Sequence, residues 1–281
     1  MSEKRVGIIG WPVAHSLSPV MHNAAFHALG MHDWSYDAMA IPPDIVQKAL
    51  REPKQHGYIG LNVTIPFKEK VLTLVRPDDK ARVIGAVNTI DFRDDSGTNT
   101  DVDGLIGDLQ AHDVPLEGQR VLVLGAGGAA RAAIYGLWQQ GAEVVVVNRT
   151  LTRAQELLMS LTITAGIRDV RALTLDDAVE WGPQLIVNCT SAGMVPHVDE
   201  MPWVEGVPFP SEVTVYDMIY RPAQTRLMRM AEVHGGRAIG GLGMLVRQGA
   251  AAFEIWTGRA APVDVMMRAA QDELARREQH S

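Results

Sequence analysis

Short apolar runs recur along the whole chain and are separated by segments with apolar residues at helical spacing. In the second half these runs are almost continuously apolar, which is typical of strands in a parallel sheet covered on both faces. Helical patterns, for example at 128–140 and 150–160, lie between them, so this half is predicted to be a doubly wound α/β domain. The strands are predicted at 120–125, 143–148, 169–174, 184–190, 212–218 and 236–241.

The first half also mixes strand-like and helix-like segments, with strands predicted at 5–10, 35–41, 58–65 and 86–92. Two α/β units in series are therefore predicted, divided near residues 101–118. Two further apolar helices are predicted at 242–256 and 263–277, and their pattern is compatible with packing on either unit.

Composition and charge narrow the class of protein. The chain has 281 residues, of which 47% are hydrophobic and 21% charged, enough for one large or two medium cores. A formal net charge of −7 without a long basic run argues against a surface that follows a nucleic-acid backbone. The apolar runs are too short to span a membrane, and the first residues lead into a strand without a leader pattern.

Cysteine and histidine usage does not indicate a disulfide framework or a metal centre. The single cysteine, Cys189, excludes an intrachain disulfide and a thiolate cluster. The nine histidines show no ligand spacing; His22 and His27, for example, lie off a common helix face. A reduced, cytoplasmic setting without a metal site is therefore expected.

A glycine-rich turn in "VLVLGAGGAARAAIYGL" lies between a predicted strand and a predicted helix. Gly125 allows a tight turn, Gly127 lets the backbone approach a pyrophosphate, and the helix beginning near Gly128 offers free N–H groups. Ala130 replaces the usual third glycine and is still small. A purely structural turn is the alternative, but the strand–turn–helix context favours a dinucleotide site.

The end of the next strand distinguishes between the two nicotinamide cofactors. The stretch "NRTLTR" contains Asn148, Arg149, Thr150 and Arg153, and no carboxylate that would repel a 2′-phosphate. NADP is therefore favoured over NAD. The alternative is an exposed basic helix start, which the helix dipole disfavours.

A lysine in "NVTIPFKEK" is the first candidate for chemistry outside the nucleotide site. Lys68 follows a half-buried strand and Pro66. On this stretch alone, the simplest explanation is that Lys68 and Lys70 flank a helix start on a solvated face.

Several segments together resemble one family, the shikimate dehydrogenases. They occur in the family's order, span nearly the whole chain, and are specific as a set although each alone is weak. The segments are 15–23 (HSLSPVMHN), 60–68 (GLNVTIPFK), 84–89 (IGAVNT), 99–104 (NTDVDG), 125–132 (GAGGAARA), 148–150 (NRT), 188–194 (NCTSAGM), 216–225 (YDMIYRPAQT) and 241–258 (GLGMLVRQGAAAFEIWTG). Departures such as Leu61 and Val102 do not touch the expected chemistry.

The resemblance implies an N-terminal α/β substrate domain and a Rossmann-type doubly wound NADP-binding domain, with the C-terminal helices returning to the substrate domain. The implied bounds are 1–104 with 242–281 for the substrate domain and 105–241 for the cofactor domain. The implied reaction is the NADP-dependent interconversion of 3-dehydroshikimate and shikimate in aromatic amino-acid biosynthesis. A monomer or a homodimer is expected.

The resemblance also implies roles for individual residues. Hydride transfer to a ketone leaves negative charge on oxygen, which needs a nearby proton donor. By similarity Lys68 is that donor and Asp101 its partner, whereas the motif match does not fall on Asp103. Ser16 and Ser18, which would point the same way in an extended chain, are expected to bind the substrate carboxylate. Further implied substrate contacts are Tyr220 at the carboxylate and Thr64, Asn88 and Gln248 at the hydroxyls.

Taken singly, these small polar residues are also compatible with turn and cap roles. On the cofactor side, the glycine-rich turn, the second strand end and the later loops are expected to contribute, and Asp79 is a weaker candidate. Cys189 is expected to be a small core residue. The full set of cofactor candidates is Gly125, Ala126, Gly127, Gly128, Ala129, Asn148, Arg149, Thr150, Arg153, Thr190, Ser191, Met218, Gly241 and Asp79.

Two other functions remain open from the sequence. A paralogue on the same scaffold could oxidise quinate or an amino-substituted analogue. A non-catalytic, NADPH-responsive binding protein would keep the glycine-rich turn and Arg149 but would have lost Lys68 or Asp101, and both are present.

Overall fold

A computed structural model describes residues 3–279, without the side chains of residues 51 and 52. The chain divides into two compact units: a first unit of Met1–Gly104 with Leu245–Ser281, and a second unit of Leu105–Met244. The family resemblance implied a second junction at 241/242, where a helix begins. In the structure the division falls inside the first turn of that helix.

The first unit is built on a mixed sheet of six strands in the order β2-β1-β3-β5-β6-β4. Strand β1 runs parallel to β2 and β3, whereas β5 runs antiparallel to β3 and β6. Its elements up to the first junction are β1 (Lys4–Gly10), α1 (Ser18–Ala28), β2 (Trp34–Ala40), α2 (Val46–Ala49), α3 (Arg51–Gln55), β3 (Tyr58–Val63), α4 (Lys68–Val71), β4 (Arg76–Pro77), α5 (Asp79–Ile84), β5 (Thr89–Asp91) and β6 (Ser96–Thr98), followed by α6 (Asp101–Ala111), which crosses the junction.

The second unit contains a six-stranded sheet in which every pair is parallel, in the order β12-β11-β10-β7-β8-β9. This is the order of a Rossmann-type doubly wound fold, as predicted. Its elements are β7 (Arg120–Leu124), α7 (Gly128–Gln139), β8 (Glu143–Val147), α8 (Leu151–Ala165), β9 (Arg171–Ala172), α9 (Leu175–Glu180), β10 (Leu185–Asn188), β11 (Thr214–Asp217), α10 (Arg226–Val233) and β12 (Arg237–Gly240).

The continuous apolar runs of this second sheet are buried on both faces. In β7, for example, Arg120 is exposed and the four residues from Val121 to Leu124 are buried. Strand β9 is shorter than predicted because it is an edge strand that pairs only with Val145 and Val146. The remainder of the predicted run at 169–174 is loop and the start of the turn into α9.

The two C-terminal helices, α11 (Leu242–Thr257) and α12 (Val263–Glu278), belong to the first unit from Leu245 onward. The Trp256 indole N–H donates to the Ile90 carbonyl on β5 at 2.9 Å. A Cβ atom at Gly60 would lie 2.1 Å from that indole nitrogen, so only glycine fits there. Helix α12 packs against α1. The question that the sequence left open is thus answered in favour of the N-terminal unit.

Within residues 3–279, no helix is both long and apolar enough to cross a membrane. In the same part of the chain, no three histidine, cysteine or acidic side chains converge as ligands for a metal ion.

Candidate active site

Lys68 begins the short helix α4 and faces a carboxylate. Its Nζ donates to Asp101 Oδ2 at 2.6 Å, and the two side chains are 25% and 9% exposed. The Val87 N–H donates to the Lys68 carbonyl at 2.9 Å, which fixes α4 against the chain before β5. Lys68 is therefore not a solvated residue at a helix start.

Lys70, unlike Lys68, lies on a solvated face, as the simplest explanation of the sequence predicted for both lysines. Its side chain is exposed, and its Nζ donates only to the Pro43 carbonyl, at 3.0 Å, among the bonds of the described chain. Asp103, two residues after Asp101, forms a separate exposed pair with Lys80 at 2.6 Å. The buried lysine–carboxylate pair is thus formed by Lys68 and Asp101.

The second oxygen of the Asp101 carboxylate is held from behind by Asn88. The Asn88 Nδ2 donates to Asp101 Oδ1 at 2.9 Å and also lies 3.4 Å from Gln248 Oε1. The Asn88 Oδ1 accepts the Thr100 N–H at 2.8 Å, which orients the amide. Four predicted residues, namely Lys68, Asn88, Asp101 and Gln248, are thus brought together.

Ser16 and Ser18 lie next to each other at the start of α1. The Ser16 Oγ accepts the Ser18 N–H at 3.1 Å. Leu17 between them has helical backbone angles, so the assumption of an extended chain was wrong, and the first helical turn rather than strand alternation brings the serines together. Arg277 on α12 donates to the His15 carbonyl at 2.6 Å and secures this segment.

Two buried residues that the sequence did not single out, Tyr36 and Asn62, are joined to Asn88 by hydrogen bonds. The Tyr36 hydroxyl donates to Asn62 Oδ1 at 2.7 Å, and Asn62 Nδ2 donates to the Asn88 carbonyl at 3.2 Å. Burial raises the pKa of the Tyr36 phenol far above its usual value, although a hydrogen bond with Ser18 opposes the shift. The clue available in the sequence was Asn62, an amide inside a buried strand, which needs a partner.

Thr64, the last of the implied hydroxyl-binding residues, lies directly after β3. Its N–H donates to the Ile9 carbonyl at 2.9 Å, and its carbonyl accepts the Phe67 N–H at 2.9 Å. The peptide bond between Ile65 and Pro66 is cis. The side chain of Thr64 is half-buried at the same end of the sheet as Lys68.

The glycine-rich turn has the geometry of a pyrophosphate site. Gly125 has φ of +111°, and a Cβ there would lie 3.1 Å from the Thr190 methyl, so the position requires glycine. Gly127 precedes α7, and a Cβ at this position would meet nothing within 4 Å, which leaves the helix N-terminus open to a ligand. Ala130 is fully buried, as close helix–strand packing demands. These residues fit a dinucleotide.

A cleft of about 300 Å³ lies beside this turn and is lined by Ala126, Arg131, Arg153, Glu156 and Leu157. Arg153 was expected near a 2′-phosphate, whereas Arg149 is exposed and is not part of this lining.

Arg131 was missed by the sequence analysis. Its guanidinium lines the cleft and donates to Ser160 at 2.9 Å. The signal was a positive charge in the first turn of α7, where the helix dipole disfavours it.

The loops after β10 and β11 carry other cofactor candidates. The Thr190 N–H and hydroxyl both donate to Asn188 Oδ1, at 2.9 and 2.8 Å. The Met218 N–H donates to the Asn188 carbonyl at 3.1 Å. A Cβ at Gly241 would lie 2.2 Å from the Met218 carbonyl oxygen, so glycine is required where β12 ends.

The sequence matches three family profiles in chain order. They are described as the shikimate dehydrogenase substrate binding domain (residues 8–90), shikimate / quinate 5-dehydrogenase (residues 108–193) and shikimate 5'-dehydrogenase C-terminal domain (residues 241–271). A shikimate dehydrogenase (NADP(+)) of Methanocella arvoryzae is 43% identical over 268 residues, which cover 95% of this chain and 98% of that protein. The chain belongs to the shikimate dehydrogenase family.

Two further shikimate dehydrogenases extend this assignment. The NADP(+) enzyme of Natronomonas pharaonis is 45% identical over 95% of this chain and 98% of its own length. The crystal structure of shikimate 5-dehydrogenase from Thermus thermophilus, in complex with NADP(H) and shikimate, is similar with a TM-score of 0.87 and 38% identity. That match covers 97% of this chain and 99% of the other. The family resemblance and the two-domain fold inferred from the sequence are thereby confirmed.

Two of the residues singled out from the shikimate dehydrogenase resemblance, Asp79 and Tyr220, have less to support them. Asp79 begins α5 in the first unit, has an almost fully exposed side chain and pairs with Arg82 at 2.7 Å. Tyr220 follows β11 in the second unit and is half-buried. Their ligand contacts stay predictions. Burial raises the pKa of the Cys189 thiol, as expected of an inert packing residue.

Proposed function

We propose that this protein is an NADP-dependent shikimate dehydrogenase that reduces 3-dehydroshikimate to shikimate, and the reverse, in aromatic amino-acid biosynthesis. The observation that carries the proposal is the Lys68–Asp101 pair at 2.6 Å, in a chain 43% identical to a shikimate dehydrogenase (NADP(+)). A non-catalytic cofactor-binding protein would have no use for this largely buried pair, with Asn88 holding its carboxylate.

Lys68 acts on the proton. When bound, NADPH supplies the hydride that reduces the carbonyl carbon. The Lys68 ammonium donates a proton to the carbonyl oxygen as negative charge develops there, and the neutral amine accepts that proton in the oxidation direction. Asp101 holds the ammonium in place, and Asn88 fixes the carboxylate so that only one of its oxygens faces Lys68.

The substrate is recognised by short polar side chains on the first unit. Ser16 and Ser18 present hydroxyl groups at the start of α1 and bind the carboxylate. Thr64, Asn88 and Gln248 bind ring hydroxyls. The hydrogen bonds from Tyr36 to Asn62 and from Asn62 to the Asn88 carbonyl support this role, because they hold Asn88 in place.

The second unit binds NADP. The glycine-rich turn from Gly125 to Ala129 receives the pyrophosphate at the N-terminus of α7. Asn148, Arg149, Thr150 and Arg153 bind the 2′-phosphate, with Arg131 as an additional cation in the cleft that Arg153 lines. Cofactor candidates in the later loops, Thr190, Ser191, Met218 and Gly241, serve the nicotinamide end.

We predict that Arg149→Ala weakens NADP⁺ binding by about tenfold to a hundredfold. A charge-assisted hydrogen bond contributes roughly 1.5–3 kcal/mol, and NAD⁺ lacks the phosphate that accepts it. NAD⁺ binding should change much less. The dissociation constants of both cofactors are measured by fluorescence titration. Arg168→Ala, which removes an exposed arginine outside the candidate site, is the matched control. Equal weakening of both cofactors by Arg149→Ala would refute the proposed discrimination.

We expect shikimate to be preferred over quinate by at least about tenfold in kcat/KM. Quinate carries an added hydroxyl on a saturated ring close to the carboxylate, and such a mismatch beside Ser16 and Ser18 has roughly that effect. Initial rates of NADPH and NADH formation are compared for shikimate, quinate and an amino analogue, each with NADP⁺ and NAD⁺. Equal or faster turnover of quinate would favour the quinate alternative, which the profile matched by residues 108–193 also includes in its name. No turnover of any of these substrates would contradict the proposed function.

We also propose a cytoplasmic location, where the cofactor and the precursors of aromatic amino acids are available, and a monomeric or homodimeric state. The mass of the protein in solution, measured by light scattering at several concentrations, tests the second proposal. Shikimate and NADP are the expected small-molecule partners, and neither a nucleic acid nor a membrane is expected to bind.

A further inference from the structure

Among the described residues, a carboxylate without a positive partner is buried at the carboxyl edge of the second sheet. Asp217 is the last residue of β11 and pairs in register with Asn188, the last residue of β10. Both side chains are 0% exposed. In doubly wound sheets this edge is the side on which ligands bind.

Three neutral groups donate to the Asp217 carboxylate. Asn188 Nδ2 and the Ile219 N–H donate to Oδ1 at 2.9 and 3.1 Å, and the Thr225 hydroxyl donates to Oδ2 at 2.7 Å. No lysine, arginine or histidine in the described part of the chain forms an ion pair with it. Burial raises its pKa, while the hydrogen bonds from Thr225, Ile219 and Asn188 oppose that shift and favour the charged form.

These hydrogen bonds join the loops that follow β10, β11 and β12. The same loops carry the residues proposed to bind the nicotinamide end of the cofactor. The Asn188 Oδ1 accepts hydrogen bonds from the Thr190 N–H and hydroxyl. The Thr190 methyl lies next to Gly125 of the glycine-rich turn. The Ile219 carbonyl accepts the Gly241 N–H at 3.1 Å. Met218 lies between Asp217 and Ile219. The carboxylate therefore lies at the centre of the candidate nicotinamide-binding loops.

A buried carboxylate that lacks a positive partner is costly in a folded protein. The oxidised nicotinamide ring carries one positive charge and the reduced ring carries none. A fixed negative charge next to the loops that hold the ring would therefore stabilise the oxidised cofactor and leave the reduced cofactor nearly unaffected.

We propose that Asp217 is a positioning residue that holds Thr190 and Met218 for the nicotinamide and biases the site electrostatically toward NADP⁺ over NADPH. This inference rests on the proposed function, because it requires NADP as the cofactor. Asp217 would thus set the affinity of the site for NADP⁺ relative to NADPH. This role is separate from substrate binding.

The test is the ratio of two dissociation constants, for NADP⁺ and NADPH, measured by fluorescence titration without substrate. Asp217→Asn keeps the shape of the side chain and removes its charge. The ratio Kd(NADP⁺)/Kd(NADPH) should rise by about tenfold, the scale of an interaction between partly buried charges, equivalent to ~1.4 kcal/mol. Asp217→Ser removes the same charge with a smaller side chain and should raise the ratio to a similar extent.

Thr225→Val is the matched control, because it removes a donor to the same carboxylate and the cap of α10 while leaving the charge in place. It should affect both forms of the cofactor alike and leave the ratio unchanged. An unchanged ratio Kd(NADP⁺)/Kd(NADPH) in Asp217→Asn and Asp217→Ser would overturn the inference. Failure of both variants to fold would also overturn it, because Asp217 would then be required only for folding. If the wild-type protein bound neither form, the proposed function itself would fail.

Discussion

Replacing Lys68 by alanine is expected to lower kcat by about 10²–10⁴, the usual contribution of a general acid or base. KM for shikimate should change little, because the lysine acts mainly on charge that develops during hydride transfer. The structure strengthens this expectation, since Lys68 Nζ is directed at Asp101 and three-quarters of its side chain is buried. Steady-state rates in both directions measure the effect.

Lys70→Ala is the control for this experiment. Lys70 lies two positions further along α4, but it is exposed and donates to the Pro43 carbonyl. Its removal should leave kcat near the wild-type value. A Lys68→Ala enzyme that is folded, as judged by its thermal transition, and turns over at a near-normal rate would rule out the proton-transfer role.

Acidification is expected to destabilise the first unit through a single histidine. His22 is fully buried and stacks on Tyr36 with ring centroids 4.3 Å apart. Within the described residues, neither ring nitrogen of His22 has a hydrogen-bond partner. Burial lowers its pKa from 6.5 to about 3, so the folded protein keeps the imidazole neutral at moderately acidic pH.

The sign of the effect follows from the two pKa values. Above pH 6.5 the imidazole is neutral in both states and contributes no pH dependence. As the pH falls from 6.5 toward 3, only the unfolded chain binds the proton, so stability is lost across that window. Each pH unit corresponds to about 1.4 kcal/mol, which gives roughly 2 kcal/mol between pH 6.5 and pH 5.

Urea unfolding at pH 7 and pH 5 measures this loss, and His22→Gln is the comparison because glutamine does not titrate. Other groups titrate equally in both proteins and cancel in the difference. The wild type should lose about 2 kcal/mol more than the variant over this interval. Parallel losses in the two proteins would show that His22 is not kept neutral by its burial.

The second unit could be predicted almost completely, whereas four of the six strands of the first unit were predicted. Buried parallel strands read as continuous apolar runs, and the glycine-rich turn marks where the first of them meets a helix. The run predicted at 86–92 contains β5, but β4 and β6, with two and three residues, carry no periodic signal and were not predicted. The antiparallel pairing of β5 with β3 and with β6 depends on tertiary contacts, such as that of Trp256 with β5, which lie far away in the sequence.

In the candidate site, too, contacts between residues that are distant in the sequence could not be predicted from local patterns. Lys68 and Asp101 are separated by 33 residues, and the pairing was suggested by the family resemblance, since no local pattern indicates it. Polar residues inside otherwise apolar strands, such as Asn62, Asn188 and Asp217, were visible in the sequence. A buried polar group needs partners, but their identity depends on which strands become neighbours.

The pairing of Lys68 with Asp101 is tested most directly by a double-mutant cycle on kcat. Lys68→Ala, Asp101→Asn and the double variant are compared with the wild type under saturating shikimate and NADP⁺. If the two residues act as one proton-transferring unit, each single variant is slow and the double variant is little slower than the slower single one. Two independent losses that multiply in the double variant would contradict the mechanism.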